Sequence, residues 1–575
     1  MRPISAPAEY RKAAERYINS IVREDENIAF ENIQFGVGKP FGGEIIAHTM
    51  QIKIDDILQG SNEIYCHQDF ENAYCQIKRS QVLKTVEEYS PKALGSTLLE
   101  LGFKPNAVYY GCQQGPRMIC LGEALTQGGP RSSALYGLGT MPLNKDLNRL
   151  AKEGGGVTMC YVDDNHICTT IEATKNMLQH VIKEGPKIGV HPNFRKYRFL
   201  LNKVEDIAEF ENWVSFLGKL GVPQDNIRHH PDSKYNGVPI GDEEGKYGNI
   251  VMGIPVGSQQ YMKRQLEEVM NKISSELDAI IKMENGQWTN LFLRTILDCK
   301  VVHLLRGLRP LHSKYVAMQY TEIQKKAIAS IAQVNLKDIT DLHLDQARTP
   351  FFNSGLSLTH ADNTRTPAFI ASITASLPSI RATVPTVDDE VIAHIDSMVP
   401  FTIPLLKEYA EAILDLNRFN NHISVASLVS TNVKKLSKLQ HMLTKDVKDR
   451  HIHMTERKIS QDPPRFAAYQ SASGPRASAW LSTIPKNVVT KMSCEHFGIA
   501  IRNLLYIEHP SIPLNSNCIC DKAPILDRHG IHLDKCANQD NAVRIARHNT
   551  VQVQWGCNVK LCGDAYLNGK KRPFT

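Results

Sequence analysis

Apolar positions recur along this chain with two different periods. Over Met262–Lys282 the residues Leu266, Val269, Met270, Ile273, Leu277 and Ile281 fall at three- and four-residue spacing, which predicts an amphipathic helix. From there to about residue 445 the pattern stays helical, with a charged surface and no strand clusters. The first 245 residues alternate instead. Glu63–Gln68 reads as a strand ending at Asp69, and Lys84–Glu100 reads as a helix. Gly156–Val162 reads as another strand, turning at Asp163-Asp164 into Ile167–Thr170. Strands and helices mixed in this way predict an α+β domain rather than a regular βαβ array. The Pro/Ser/Gly-rich passage Gln461–Pro475 reads as a linker or long loop. The stretch from Leu514 to Thr575 is dense in cysteine, histidine and basic residues.

At 575 residues the chain is too long for one ordinary core, so several domains are expected. Charged residues at 22% and hydrophobic ones at 42% exclude a disordered or fibrous protein. No apolar run reaches the roughly 18 residues of a membrane span. The start MRPISAPAEY has no apolar signal segment, so an intracellular protein of nucleus or cytoplasm is expected, neither secreted nor membrane-spanning. Thirteen mostly scattered cysteines point to a reducing compartment. The net charge of +7 leans towards a polyanionic partner such as nucleic acid.

Candidate chemistry concentrates in two places. Tyr161-Val162-Asp163-Asp164 puts two carboxylates at the tip of an expected hairpin, where their oxygens suit a hard divalent cation. A third carboxylate from another strand completes such a site, and Asp69 is the candidate. Two ions about 4 Å apart on such carboxylates stabilise the attacking and leaving oxygens of phosphoryl transfer. Taken alone, the pair is also what an ordinary Asx turn contains. The second place is Cys518, Cys520, His532 and Cys536, spaced C-x-C-x₁₁-H-x₃-C. Three thiolates and an imidazole suit structural zinc; a pair of buried cysteines is the alternative. Cys557 and Cys562 read as structural. A basic stretch from Lys434 to Arg457, interrupted by His441, His451 and His453, could track a nucleic-acid backbone. Asp446, Asp449 and Glu456 interleave with it, as on a solvated helix face.

The residues around these aspartates resemble the palm motifs of reverse transcriptases. Asp69-Phe70-Glu71-Asn72-Ala73-Tyr74 looks like the first palm motif and Tyr161-Val162-Asp163-Asp164 like the Tyr-x-Asp-Asp motif. Gly111–Pro116, with Gln114-Gly115, is similar to the Gln-Gly motif between them, and Gly189–Lys196 to the Gly-x-x-x-Asn-x-x-Lys motif that follows. Val251–Ser258 looks like the primer grip of non-LTR retrotransposons. The likeness extends to a finger segment (Arg2-Pro3-Ile4, Tyr10-Arg11-Lys12), to Gln34–Gly38 with Gly42-Gly43-Glu44 and His48, and to thumb and post-thumb segments at Leu293–Pro310, Gly355–Leu358, Ala368–Ser372 and Ala477–Pro485. The chain departs from the family after Gly115. There the family runs through Asp-Pro-Leu-Ser-Pro into an apolar helix, whereas here Pro116-Arg117-Met118 follows.

The resemblance implies a right-hand polymerase palm with partial fingers over residues 1–245 and a primer grip and helical thumb over 246–335. A helical connection over 336–500 and a Cys/His knuckle subdomain over 501–575 follow, with truncation expected at both ends. It implies an RNA-directed DNA polymerase in which Asp69, Asp163 and Asp164 bind two Mg²⁺ ions and Lys196 stands near the leaving pyrophosphate. Arg2, Phe70, Tyr74, Gln114 and Gly115 would contact the incoming dNTP, Tyr74 excluding a 2′-hydroxyl. RNA template and DNA primer are the implied partners. The Cys/His cluster resembles the knuckle before the endonuclease of site-specific elements, with Zn²⁺ on its four ligands and Arg544, Arg547 and His548 on target DNA. A non-catalytic binding remnant of the same fold and a viral RNA-dependent RNA polymerase are the alternatives.

Overall fold

A computed structural model describes residues 9–530 apart from 102–106, 113–114, 121–122, 124, 126, 204–206, 236–237, 240–244, 419–421, 476, 478, 487–489, 513–514, 516 and 519–524. The fold is α+β, mostly helical with a small sheet. Two compact units are each assembled from separated stretches. The first takes Met1–Met270, Val302–Ala317 and Asp362–Asp446; the second takes Asn271–Val301, Met318–Ala361 and Val447–Thr575, in both cases as far as they are described.

All strands of the first unit lie between residues 63 and 257. In chain order they are β1 (Glu63–Gln68), β2 (Ala107–Cys112), β3 (Gly115–Cys120), β4 (Val157–Tyr161), β5 (Asp164–Thr170), β6 (Arg198–Leu200), β7 (Ile227–Arg228), β8 (Lys234–Tyr235), β9 (Val238–Pro239), β10 (Gly248–Val251) and β11 (Ile254–Gly257). Five form one sheet in the order β4-β5-β1-β6-β7, antiparallel except for the β6–β7 edge. The other six pair as hairpins. Strand β1 is central, which is why Ile64, Tyr65 and Cys66 are all fully buried instead of alternating with polar residues. The helix Ser132–Glu153 packs on β4 and β5, and the helix Ile171–Ile188 on β5 and β1. The second of these is delimited by its ends: Thr170 accepts the amide of Ala173, and Gly189 closes the helix at φ 83°.

Helix α1 (Glu9–Phe30) turns Glu15, Val22, Glu26 and Phe30 inward. Its buried acids are paired, Glu26 with Arg131 at 2.8 Å and Glu15 with Arg11 at 2.7 Å. Helix α2 (Gly42–Leu58) is buried nearly all round and packs on β1, β4 and β5. Four of its polar side chains have partners far along the chain. Glu44 takes a two-pronged ion pair from Arg306 at 2.7 Å, and Asp55 takes Arg309 at 2.8 Å, whose guanidinium also holds Glu408. The amide of Gln51 donates to the Gly307 carbonyl, and the His48 ring meets Ser372 Oγ at 2.8 Å.

The second unit is helical in its described residues. Buried Asp298 organises one part, accepting from Tyr320 Oη at 2.7 Å and from the Thr359 amide at 2.9 Å. Gln346 organises another, donating to the carbonyls of Ser354 and Leu504 and accepting from Arg465.

Three sequence expectations need adjustment. The helix expected over Lys84–Glu100 is two, Arg79–Tyr89 and Leu94–Leu101, because Pro91 starts a new turn after Ser90. The passage expected as a linker at 461–475 contains the helix Pro463–Ser471, with both prolines in its first turn and Asp462 as its cap. The strand at Gly156–Val162 ends at Tyr161, and Val162 enters the turn. No helix among the described residues is long and apolar enough to cross a membrane.

Burial pushes the His48 imidazole down to about 4, below its ordinary value. The unfolded chain protonates this ring near pH 6.5 and the folded protein does not until near 4, so in that window the unfolded state binds more protons. His48 therefore contributes stability that is lost as pH falls from about 6.5 towards 4. The stability gap in urea between wild type and His48→Gln is expected to narrow as pH is lowered through this window, and a constant gap would show that the ring does not titrate there.

Candidate active site

The β4–β5 hairpin closes with Tyr161 paired to Asp164, which leaves Val162-Asp163 as its two-residue turn. Val162 sits at φ 58°, a left-handed conformation that costs a β-branched residue on the order of 1–3 kcal/mol. One side chain offsets that cost. Gln34, 2% exposed, accepts the Val162 amide on Oε1 at 2.8 Å and donates Nε2 to the Val162 carbonyl at 3.2 Å. The same Oε1 accepts the Gly36 amide at 2.9 Å. Main-chain bonds align this segment along β4, Phe35 N to the Cys160 carbonyl and Cys160 N to the Ile33 carbonyl, both 2.8 Å. A Cβ on Gly36 would stand 2.8 Å from the Val162 nitrogen, so glycine is required there.

The β1–β5 register pairs Gln68 with Asn165, and one further step sets Asp69 across from Asp164. Asp69 is half-buried and held by two side chains of the Gly189–Lys196 segment. Asn193 Nδ2 donates to one carboxylate oxygen and Lys196 Nζ to the other, each at 3.2 Å. The Asn193 amide donates to the Asp69 carbonyl at 2.9 Å, so this segment fixes both backbone and side chain. Asp164 lies 3.5 Å from His67 Nε2, and the His67 ring stacks on buried His166. The charge of Asp163 reaches Tyr74 and Tyr136, where with burial it pushes both phenols up. Asp69, Asp163 and Asp164 thus gather at one end of the sheet.

Phe70 is buried and bridges to Pro192. Tyr74 is half-buried; its hydroxyl shares a 2.9 Å hydrogen bond with Ser133 and its ring lies 5.2 Å from that of Tyr136. Both partners belong to the helix Ser132–Glu153. Gln114 lies outside the described residues, and Gly115 begins strand β3. The Gln-Gly pair that leads into the apolar helix is a later one, Gln127-Gly128, followed by Gly129-Pro130 and then Ser132.

The β10–β11 hairpin turns at Met252-Gly253, both at positive φ, and His303 Nε2–H donates to the Met252 carbonyl at 3.0 Å. Met252, His303, Tyr161, Asp164, Lys39 and the first turn of α2 line one open cleft of about 590 Å³. Lys39 and Glu44 stand with Asp164 among the residues that line it. A neighbouring cleft of about 430 Å³ is lined by Arg16, Arg23, Gly36, Pro130 and Ser133.

Arg2, Cys520, His532, Cys536, Arg544, Arg547 and His548 lie outside the described residues, as do Cys557 and Cys562. Cys518 is buried beside Leu526. The basic stretch lies on the helix Val433–Ile459, where Lys435, Lys438, Lys445, Lys448, Arg450 and Arg457 are exposed beside Asp446 and Asp449. It is a solvated face of mixed charge, and His451 is turned half inward from it.

The sequence matches no family model, and no curated protein matches it. Among solved structures it aligns to apo telomerase from Candida tropicalis at 9% identity, covering 77% of this chain and 60% of that one, with a TM-score of 0.31. It aligns to telomerase from Candida albicans with a fragment of telomeric RNA at 12% identity, covering 74% and 58%, with a TM-score of 0.25. A form of the C. tropicalis protein truncated from its C-terminal domain gives 10% identity, 33% and 41% coverage and a TM-score of 0.28. This chain thus spans less than two thirds of the proteins it aligns to, and scores of that size do not establish a common fold.

Replacing Gln34 by Leu removes three hydrogen bonds at a buried position and is expected to cost about 3 kcal/mol in urea unfolding. Val162→Gly, which relieves the left-handed strain, should recover about 1 kcal/mol of that loss in the double variant. A Gln34→Leu protein as stable as wild type would show that the turn holds its conformation without the clamp.

Proposed function

We propose that the first unit is a polymerase palm that adds deoxynucleotides to a primer 3′-hydroxyl on an RNA template. The observation that carries this reading is the placement of Asp69 across from the Val162-Asp163-Asp164 turn, with Tyr74 beside it on Tyr136 and Ser133. Three carboxylates at one sheet end, with no thiolate among them, are an oxygen donor set that suits Mg²⁺. Bound there, Mg²⁺ would lower the barrier to attack by the primer hydroxyl and neutralise the triphosphate.

The protein's own groups do the positioning. Asp69, Asp163 and Asp164 would hold the ions, Asp69 pre-set by Asn193 and Lys196. Lys196, already at this carboxylate, would serve the leaving pyrophosphate as charge partner. The Tyr74 ring is locked between a hydrogen bond and an aromatic neighbour, so it would be a wall that does not retreat from a 2′-hydroxyl. Gln114-Gly115 would contact nucleotide and template, and Gln127-Gly128, at the head of the helix that carries Ser133 and Tyr136, would add to that contact. The β10–β11 turn across the cleft from Asp164 would seat the primer end, and Arg16 and Arg23 would meet a phosphate backbone. The non-LTR retroelement assignment rests on the sequence motifs, as do the Zn²⁺ knuckle of Cys518, Cys520, His532 and Cys536 and the contacts of Arg544, Arg547 and His548 to target DNA.

Primer extension on an RNA template with dNTPs and Mg²⁺ tests this. Wild type is expected to extend, and Asp163→Asn, Asp164→Asn to lose at least a thousandfold in rate. Folded wild type that binds primer-template without extending it would identify a binding protein of this fold, and extension with NTPs alone an RNA polymerase. Tyr74→Val should raise ribonucleotide incorporation at least tenfold relative to deoxynucleotide. An unchanged ratio would remove Tyr74 from sugar selection.

A further inference from the structure

Outside the palm, one group of three metal-ligating side chains comes together among the described residues: Asp345, His360 and His451, with one ligand atom from each within 4.8 Å of the others. All three belong to the second unit. We propose that they form a binding site for a transition-metal ion, Zn²⁺ by the chemistry of its donors, that clips three separate elements of this unit.

Each ligand is positioned by its own surroundings. Asp345 lies on the helix Asp341–Ala347, whose start is capped by Thr340. His360 directly precedes the helix Ala361–Thr383. The residue before it is pinned on both sides, Thr359 N to Asp298 Oδ2 and Gln324 Nε2 to the Thr359 carbonyl, each at 2.9 Å. His451 lies on the helix Val433–Ile459, with its ring 4.7 Å from that of His360 and perpendicular to it.

The protonation pattern fits a ligand set. His451 Nε2 lies 3.0 Å from the Asp345 carbonyl, which can only accept, so Nε2 carries the proton and Nδ1 the lone pair. An imidazole that donates its far N–H to a backbone carbonyl is the usual support behind a metal-bound histidine. Lys458 Nζ donates to Oδ2 of Asp345 at 2.9 Å, and a carboxylate has a second oxygen to offer an ion.

Donor type and charge select the ion. Ligand atoms around zinc, each about 2.0–2.1 Å from it, stand about 3.4 Å apart, so the three side chains need to close by at most little more than an ångström. Two cations stand nearby: Lys458, and Arg348, whose guanidinium is held by Gln324 and Thr321. Both disfavour an ion held by charge alone, such as Mg²⁺ or Ca²⁺, and leave the advantage to one that bonds imidazole strongly. Two imidazoles and one carboxylate leave the fourth tetrahedral position for water.

The full-length protein, stripped with chelator, is reloaded with Zn²⁺ and its bound metal counted by mass spectrometry. Cys518→Ser serves as the reference for the separate cysteine cluster. His451→Asn and Asp345→Asn are each expected to bind one equivalent less than wild type while keeping wild-type far-UV circular dichroism, and Cys518→Ser is expected to retain that equivalent. Equal zinc content in wild type and the folded variants overturns the proposal. If the variants do not fold, wild type alone decides. Zn²⁺ should protect the peptides containing His360 and His451 from carbethoxylation at least fivefold, and modification at the same rate with and without Zn²⁺ overturns it.

Discussion

One buried amide, that of Gln34, holds the geometry on which the candidate active site depends. A two-residue turn that presents adjacent aspartates has to place a residue in the left-handed region, and here that residue is a valine. Gln34 satisfies both peptide groups of Val162 at once, and its backbone neighbours align with β4. The turn is thereby defined from a segment 128 residues earlier in the chain. A turn that relaxed would re-aim Asp163 and Asp164 together, because they are consecutive. The strain and its compensation are a form of preorganisation, with the cost met in the folded scaffold and not when ligands arrive.

The same economy governs the charges. Three carboxylates gathered at one sheet end repel one another, and the protein assigns local partners to them. Lys196 and Asn193 hold Asp69, and His67 lies beside Asp164. A cation arriving at Asp69 meets an oxygen already paired with an ammonium, so the lysine has to yield part of its contact. Its four-carbon stem and half-exposed amine allow that movement, which a stacked or forked guanidinium would not. Tyr74 is treated in the opposite way, tied at its hydroxyl and packed at its ring. Mobility is left with the group that must exchange partners and withheld from the one that serves as a wall.

What was legible in the sequence was what is local. The strand Glu63–Gln68, the hairpin around Asp163-Asp164 and the long helix after Gln259 are set by side-chain period and turn chemistry, and all three are present. The position of Asp69 across from that hairpin followed because a strand end and a turn are both readable. The function of Gln34 was not, since nothing near it in sequence says that its amide meets a turn 128 residues away. Gln114-Gly115 runs into strand β3, while a second pair, Gln127-Gly128, precedes the helix Ser132–Glu153, and periodicity alone does not choose between them. His451 read as one histidine of a basic face. Its inward turn depends on Asp345 and His360, which no periodicity links to it.

The distribution of partners around α2 has a consequence for how the chain is made. The five-stranded sheet is complete once residue 228 has left the ribosome, and α2 already covers it. Yet Glu44 and Asp55 wait for Arg306 and Arg309, His48 waits for Ser372, and Arg309 waits for Glu408. At roughly 5–20 residues per second, the last of these emerges about 9–36 seconds after the sheet could close. Through that interval the nascent chain carries a nearly finished sheet under a helix whose acidic side chains still need water. Chaperone occupancy during translation should therefore concentrate on α2 and end abruptly when the helix bearing Glu408 arrives.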